Sequence, residues 1–415
     1  MLGISKDQAQ RFILEKQGLL TNSPSKSILD VAKRIHNIQI DTNSVVARSQ
    51  DLTLYNRLTD YHEGQIWKLL EEKKLFEFWS HGICLMPIEE YPFYAWKMEY
   101  KKKNPANWWR KWLPENQDVI KNVYKYVKKN GPTRSADFER EEERKSEGWW
   151  DWKKEKLALE LLFDQGKLLI AFRKNFQKFY DISERVIPSG IKTEPLADDE
   201  LADYLIQTVL SSLGLASYEE LRHYIGMVVS KYLWKNNRKS AMNYLQDCVD
   251  QDKLIEIKIE NQDVKHFILK EDESKLRKMN YNFDQNTPMK FLTPFDNAIR
   301  DRDLPLRIWG FDYKIECYTP AKDRIFGYFT LPILDGYSLI GRTDLKAHRK
   351  DSILEIKSIH FEDWFKHSEE SFKRLAKGLS NFAEFHNCSK IQAEESIPNK
   401  IRKSLLSSLD SAFLT

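Results

Sequence analysis

Apolar residues recur along this chain at two spacings. Every three or four positions marks a helix against a core, and every second position marks a half-buried strand. Val119, Ile120, Val123 and Val127 share one helical face, and Gly131-Pro132 ends that helix. Thr133–Phe138 reads as the opening of a second helix, with small hydroxyl residues able to cap exposed N–H groups. Leu157, Leu161 and Leu162 mark a third helix, and the strands KLLIAFR and FQKFYDI then turn around Lys174-Asn175. Three helices and a hairpin make a winged-helix unit.

The order repeats. Asp164-Gln165-Gly166-Lys167-Leu168, where a helix ends and a strand begins, recurs as Asp250-Gln251-Asp252-Lys253-Leu254. Around the second copy lie a helix near Leu201 to Leu213, a break at Gly214, a helix opening at Ser217, a helix to Cys248, and the strands KLIEIKI and KHFILK. A looser version opens the chain, with helices near 6–18, 27–37 and 63–73, the strand LFEFW, a turn at Ser80-His81-Gly82, and the strand ICLMP. Beyond about residue 275 the texture is β-rich (YKIECY, RIFGYFTLPIL, YSLIGRTDLKA, ILEIKSIHF), which predicts a small barrel or curled sheet, with a last helix near 368–385. The predicted fold class is α+β: three tandem winged-helix units (1–115, 116–190, 191–275) and a C-terminal β-barrel-like domain (276–415). The EEERK stretch at 141–145 and the lysines at 101–103 read as solvated surface, and Trp149, Trp150 and Trp152 as packing between units.

Composition narrows the classes of function. At 415 residues several domains are expected, and no apolar stretch reaches the roughly 20 residues that span a bilayer. Without a secretory h-region at the start, a cytoplasmic protein is expected. The cysteines Cys84, Cys248, Cys317 and Cys388 are scattered, so neither a zinc site nor disulfides are expected, and no cofactor is implied. A formal net charge of +4 suits nucleic acid without requiring it.

Candidate chemistry sits after the helix from Ser27. There Asn37, Gln39, Asp41 and Asn43 alternate with Ile38, Ile40 and Thr42. In an extended segment Gln39 and Asp41 point the same way, whereas on a helix they would diverge by about 200°. A carboxylate beside an amide can stabilise a cation, accept a proton and orient a water. Asp and Gln after a helix more often just satisfy backbone donors, and spacing alone does not decide between the two readings.

The stretch IQIDTNSVVARSQDL, with FEFWSHGICLMP downstream, resembles the winged-helix DNA glycosylases of the YcaQ and AlkZ group. GPTRSADFE, the block from GWWDWKKEK to SERVIP, and LTPFDNAIRDRDLPLRIWGFDYKIECYTPAKDRIFGYFTLPIL follow in the family's order. The resemblance implies three winged helices and a β-barrel, a DNA repair activity that removes N7-alkylated guanine and unhooks interstrand crosslinks, and a catalytic motif of Gln, an apolar residue, then Gln or Asp. Here that motif is Gln39, Ile40 and Asp41, which implies the Asp-bearing, YcaQ-like branch.

A cationic N7-alkylguanine departs without protonation, leaving Asp41 to stabilise the sugar cation and act as base while Gln39 positions water. No lysine adjoins the motif, so a monofunctional hydrolysis without a lyase step is expected, and with no carboxylates clustered at ligand spacing a metal-independent one. A crosslinked base cannot rotate out of the stack freely, which favours an open cleft over a flipping pocket. The expected DNA contacts are Arg134 and Ser135 at a recognition-helix start, Arg173, Lys174 and Asn175 at a wing tip, and Lys322 and Arg324 in the turn TPAKDR, which resembles the family's DNA-probing hairpin. His81 is a candidate substrate contact, and Asp296, Arg300 and Asp301 form an expected bracing network. The expected partner is double-stranded DNA carrying alkylated or crosslinked guanine, bound by a bacterial, nucleoid-associated monomer. The rival readings are a non-catalytic winged-helix transcriptional regulator and, more remotely, a metal-dependent nuclease.

Overall fold

The computed structural model describes residues 1–20, 24–138, 154–224, 227–235, 237–279 and 284–413. The EEERK stretch at 141–145 and the tryptophans at 149, 150 and 152 lie outside them. Contacts group the chain into two compact units, Met1–Glu63 with Leu205–Thr415, and Gly64–Tyr204. These borders fall inside the expected segments 1–115 and 191–275.

In Gly64–Tyr204 the helix Ile66–Glu71 leads into an antiparallel hairpin, Leu75–Trp79 with Ile83–Pro87. The helix Tyr91–Lys103 follows, which the sequence reading missed because aromatic residues surround it with no clear apolar stripe. The helix Gln117–Asn130 buries Ile120, Val123 and Val127, the predicted face, and Gly131 ends it at φ 84°. The helix Lys154–Asp164 then feeds the antiparallel strands Leu168–Lys174 and Gln177–Ile182. Asn175 and Phe176 turn that hairpin, both with the positive φ that a two-residue loop needs to match strand twist, so the turn sits one residue beyond the expected Lys174-Asn175.

In the other unit the helices Tyr218–His223 and Arg238–Asp250 precede the strands Leu254–Ile259 and His266–Leu269. The strand Leu2–Ile4, too short to show a period, lies parallel to Leu254–Ile259. Three helix-to-strand turns share one geometry. Lys73, Gly166 and Asp252 are left-handed, and the next amide reaches back in each: Lys74 to Leu69, Lys167 to Leu162, Lys253 to Cys248, all at 2.9 Å. This is the Schellman closure of a helix C-terminus. Two segments after a left-handed glycine also pair alike with a hairpin: Thr133 with Tyr180 and Ala216 with Phe267.

The C-terminal sheet is open and curled. Its strands Lys390–Ala393, Ile353–Phe361, Ser338–His348, Thr330–Asp335 and Lys290–Phe291 are neighbours in that order, antiparallel except for the first pair. The helix Glu369–Phe385 buries Phe372, Leu375, Leu379 and Phe382 against Leu331, Ile333, Leu345 and Ile356. YKIECY and the start of RIFGYFTLPIL are not strands. Residues 313–329 run as an irregular loop with a short turn at Ala321–Asp323, and the strand begins at Thr330. The reason is local: the Glu316 carboxylate, rather than a neighbouring strand, accepts the backbone N–H groups of Ile325, Phe326 and Gly327.

Candidate active site

Ser27 caps the helix Ile28–Ile35 by accepting the Asp30 N–H at 3.1 Å, and Val31, Ala32 and Ile35 face the core. His36 then adopts a left-handed conformation at φ 60°, which ends the helix and redirects the chain into the strand Ile38–Gln39. The extended run is shorter than the alternation suggested. Asp41 Oδ1 accepts the Asn43 N–H at 2.7 Å and Asn43 Oδ1 accepts the Val45 N–H, two successive turns that curl the chain toward the next helix.

The predicted alternation of exposure nevertheless holds around Gln39 and Asp41. Gln39 and Asp41 are half-buried, and Ile38 and Ile40 between and before them are buried. Asn37 departs from the pattern and is fully buried. Downstream, Val46, Ala47 and Leu52 insert into the core of the C-terminal sheet, so the motif is tied to that domain. The helix Ser49–Tyr55 buries its polar side chains too. Gln50 Oε1 accepts the Asp41 N–H at 3.4 Å, Gln50 Nε2 donates to Asp51, and the Tyr61 hydroxyl donates to Asp51 Oδ1 at 2.6 Å.

Burial pushes the Asp41 carboxyl above its ordinary value, and the Asn43 N–H draws it part of the way back. The residue lies beside the irregular loop. Burial first, and the Asp41 charge second, push the Cys317 thiol up, and the neighbouring Tyr318 is raised first by Cys317, then by burial and by Asp41. Neither Cys317 nor Tyr318 was singled out as a site residue from the sequence, since their proximity to Asp41 joins segments some 276 positions apart. Tyr318 is 87% exposed and Ile325 73% exposed, so the loop presents apolar side chains to solvent.

Lys322 is exposed on that loop. Arg324 donates to the Thr319 carbonyl at 2.9 Å and lies over the Tyr328 ring. Both sit in the irregular loop rather than the expected β-hairpin. Glu316 holds this loop: burial raises its carboxyl, yet the three backbone N–H groups outweigh that and keep it below the usual range. Gly327 has φ 143°, and a Cβ there would run into the Asp344 carboxylate, which accepts the Tyr328 N–H at 2.6 Å.

The remaining candidates fall in Gly64–Tyr204 and behave differently from one another. Arg173 is not displayed at a wing tip. Its guanidinium makes a two-pronged ion pair with the fully buried Glu77 at 2.6 and 2.7 Å. Lys174 and Asn175 are exposed at the turn. Arg134 pairs with Asp137 at 2.8 Å and donates to Gln177, and Ser135 opens a short turn, Ser135–Asp137, where the start of a short helix was expected. His81 sits in the turn of the first hairpin, its ring about van der Waals distance from the buried Cys84 Sγ (3.9 Å). Lys97, 3% exposed, braces that turn by donating to the carbonyls of Trp79 and Ser80.

The PFDNAIRDR residues lie in the other unit, and Asp296 and Arg300 find partners outside the segment. Asp296 binds Arg57 in a wholly buried ion pair, and Arg300 donates to the Tyr224 carbonyl at 3.0 Å. Asp301 accepts the Asp303 N–H locally.

The Asp41 carboxylate lies near an exposed apolar loop within an α+β fold, and that fold is a known one. The fold matches that of the Streptomyces sahachiroi DNA glycosylase AlkZ with a TM-score of 0.65, over 96% of this chain and 100% of that one, at 16% sequence identity. Residues 32–385 match the AlkZ-like family, described as DNA glycosylase AlkZ-like, and the chain belongs to that family. It is therefore a DNA glycosylase, an enzyme of DNA repair whose substrate is DNA.

Proposed function

We propose that this glycosylase hydrolyses the N-glycosidic bond of N7-alkylated guanine in duplex DNA, including guanine crosslinked between strands, with Gln39 and Asp41 as its catalytic residues. The observation that carries the reading is the half-buried Gln39 and Asp41 flanking the buried Ile40, with the carboxyl of Asp41 raised by burial. Alkylation at N7 makes the base a cation. As the C1′–N9 bond breaks, its electron pair neutralises that charge, and the sugar becomes oxocarbenium-like. The carboxylate of Asp41 stabilises this sugar, and water held by Gln39 attacks C1′ and gives its proton to Asp41. A departing group that needs no protonation removes the need for a general acid. Asp at the third motif position supports a place in the YcaQ-like branch.

The Schellman turns at Lys73, Gly166 and Asp252, and the matching pairings of Thr133 and Ala216, support reading the chain as tandem winged-helix units, divided near residues 115, 190 and 275. Of the basic candidates, Lys322, Arg324, Arg134 with Ser135, and Lys174 with Asn175 remain for phosphate contact. Arg173 is committed to Glu77. The enzyme is proposed to act as a monomer without a metal.

The test is incubation of purified protein with duplexes carrying N7-methylguanine or a nitrogen-mustard crosslink, then alkali to cleave abasic sites. Alkali-labile product is expected from both, unaffected by EDTA. Failure on both lesions overturns the proposed substrate class, and loss of product in EDTA overturns the metal-independent mechanism.

A further inference from the structure

The candidate catalytic segment is entered from the helix Ile28–Ile35 and left through the helix Ser49–Tyr55, and one short turn, Thr293–Asn297, grips both. The Asn297 Nδ2 lies 2.9 Å from the Ile35 carbonyl, 3.1 Å from the Asn37 carbonyl and 2.9 Å from the Tyr224 hydroxyl. That hydroxyl in turn donates to the Ile35 carbonyl at 3.0 Å and meets Ser212 Oγ. The preceding residue, Asp296, takes both terminal nitrogens of Arg57, just beyond the second helix, at 2.6 and 2.8 Å. Thr293 Oγ1 donates to Ser49 at that helix's start at 3.2 Å. The turn holds its own shape through Asp296 N–H to the Thr293 carbonyl and Ala298 N–H to Asp296 Oδ1. Thr293, Asp296, Asn297, Tyr224 and Ser212 are all buried.

The residue between the two carbonyls that Asn297 binds is His36, at φ 60°. A left-handed conformation in a residue with a bulky side chain is strained, and it persists only where the surroundings over-determine it. The Asn297 amide brackets that residue from both sides. The direction in which Gln39 and Asp41 leave the helix is set at this point.

We infer that Asn297, supported by Tyr224 and Ser212, is a positioning residue that fixes the backbone at Ile35–Asn37 and thereby aims Gln39 and Asp41. The inference rests on the assignment of those two as catalytic residues. A carboxamide is required, because both contacts are donations to carbonyl oxygens. An aspartate there would set a negative charge against two acceptors.

Three variants test it: Asn297→Ala, Asn297→Asp and the milder Tyr224→Phe. Three measurements are made on each: the single-turnover excision rate at saturating enzyme, the dissociation constant for the same duplex, and hydrogen exchange of peptides spanning 36–43 and 338–361. The expected result for Asn297→Ala is a rate lower by on the order of 10²-fold, as for other misplaced catalytic groups. Affinity and exchange in 338–361 should match the wild type, while exchange in 36–43 is faster. Tyr224→Phe should shift the same readouts in the same direction by less, and it decides the matter if either Asn297 variant fails to fold. An unchanged rate with unchanged exchange in 36–43 overturns the inference, as does a rate loss matched by an equal loss of affinity. If the wild type excises neither N7-alkylated lesion, the proposed substrate has failed on its own, and the exchange comparison still decides whether Asn297 holds the segment.

Discussion

At the scale of single residues the account turns on Asp41. Burial raises its carboxyl, and the base must be ionised to work, so excision is expected to fall as pH drops through a value above the ordinary aspartate pKa of about 3.9. A single-turnover pH profile checks this. An acid limb centred at or below that ordinary value would contradict it. That Gln39 and Asp41 share a face was legible in the sequence because alternation of exposure is a local property, set by two residues and the buried Ile40 between them, whereas a catalytic role for the pair came only from the family resemblance. Arg173 was misread for the opposite reason. At a hairpin turn a lone arginine reads as solvent-facing, and only folding reveals Glu77, 96 positions away and fully buried, as its partner. Asn297 carried no signal at all, since an asparagine in a turn is ordinary until its contacts 260 and 262 positions away are known.

Elements were legible where their caps and turns are local. Ser27, Gly131 and the recurring turn before each hairpin end or start helices through bonds within a few residues, and the predicted helices there are found. The loop 313–329 was read as strands because its alternation is genuine, but Glu316 takes the amides that strand pairing would need. Gly327→Ala is expected to disturb this loop, combining an unfavourable φ with a clash against Asp344, at a cost of about 1–3 kcal/mol. Thermal unfolding measures it, and weaker DNA binding should accompany it. An unaltered melting temperature would show that the loop is not held as described. In the first hairpin, Lys97→Met strands the carbonyls of Trp79 and Ser80 and should cost about 1–3 kcal/mol. Burial lowers the Lys97 ammonium to about 7, so the native state sheds a proton that the unfolded chain keeps until near 10.5. The wild type should therefore gain stability over Lys97→Met as pH rises through that window, and denaturant titrations at pH 7 and 10 would reveal a gap that widens.

At the scale of the whole molecule, the C-terminal sheet and the N-terminal motif are one structure, joined by Val46, Ala47 and Leu52 in the sheet core and by the Arg57–Asp296 pair. Arg57→Met leaves Asp296 buried without its partner and should cost about 3–5 kcal/mol in chemical denaturation, where a neutral result would remove that pair from the account. The α+β class was readable from periodicity, whereas the grouping into Met1–Glu63 with Leu205–Thr415 was not, because it joins segments far apart in sequence. No described helix is long and apolar enough to cross a membrane. Membership of the AlkZ-like family establishes a DNA glycosylase, and the central proposal is that Gln39 and Asp41 perform the hydrolysis on N7-alkylated guanine. The most direct test compares wild type with Asp41→Asn in single-turnover excision of N7-methylguanine from duplex DNA, with affinity for the same duplex measured alongside. The account predicts a rate lower by roughly 10²–10⁴-fold at unchanged affinity. An Asp41→Asn enzyme that excises at the wild-type rate would contradict it.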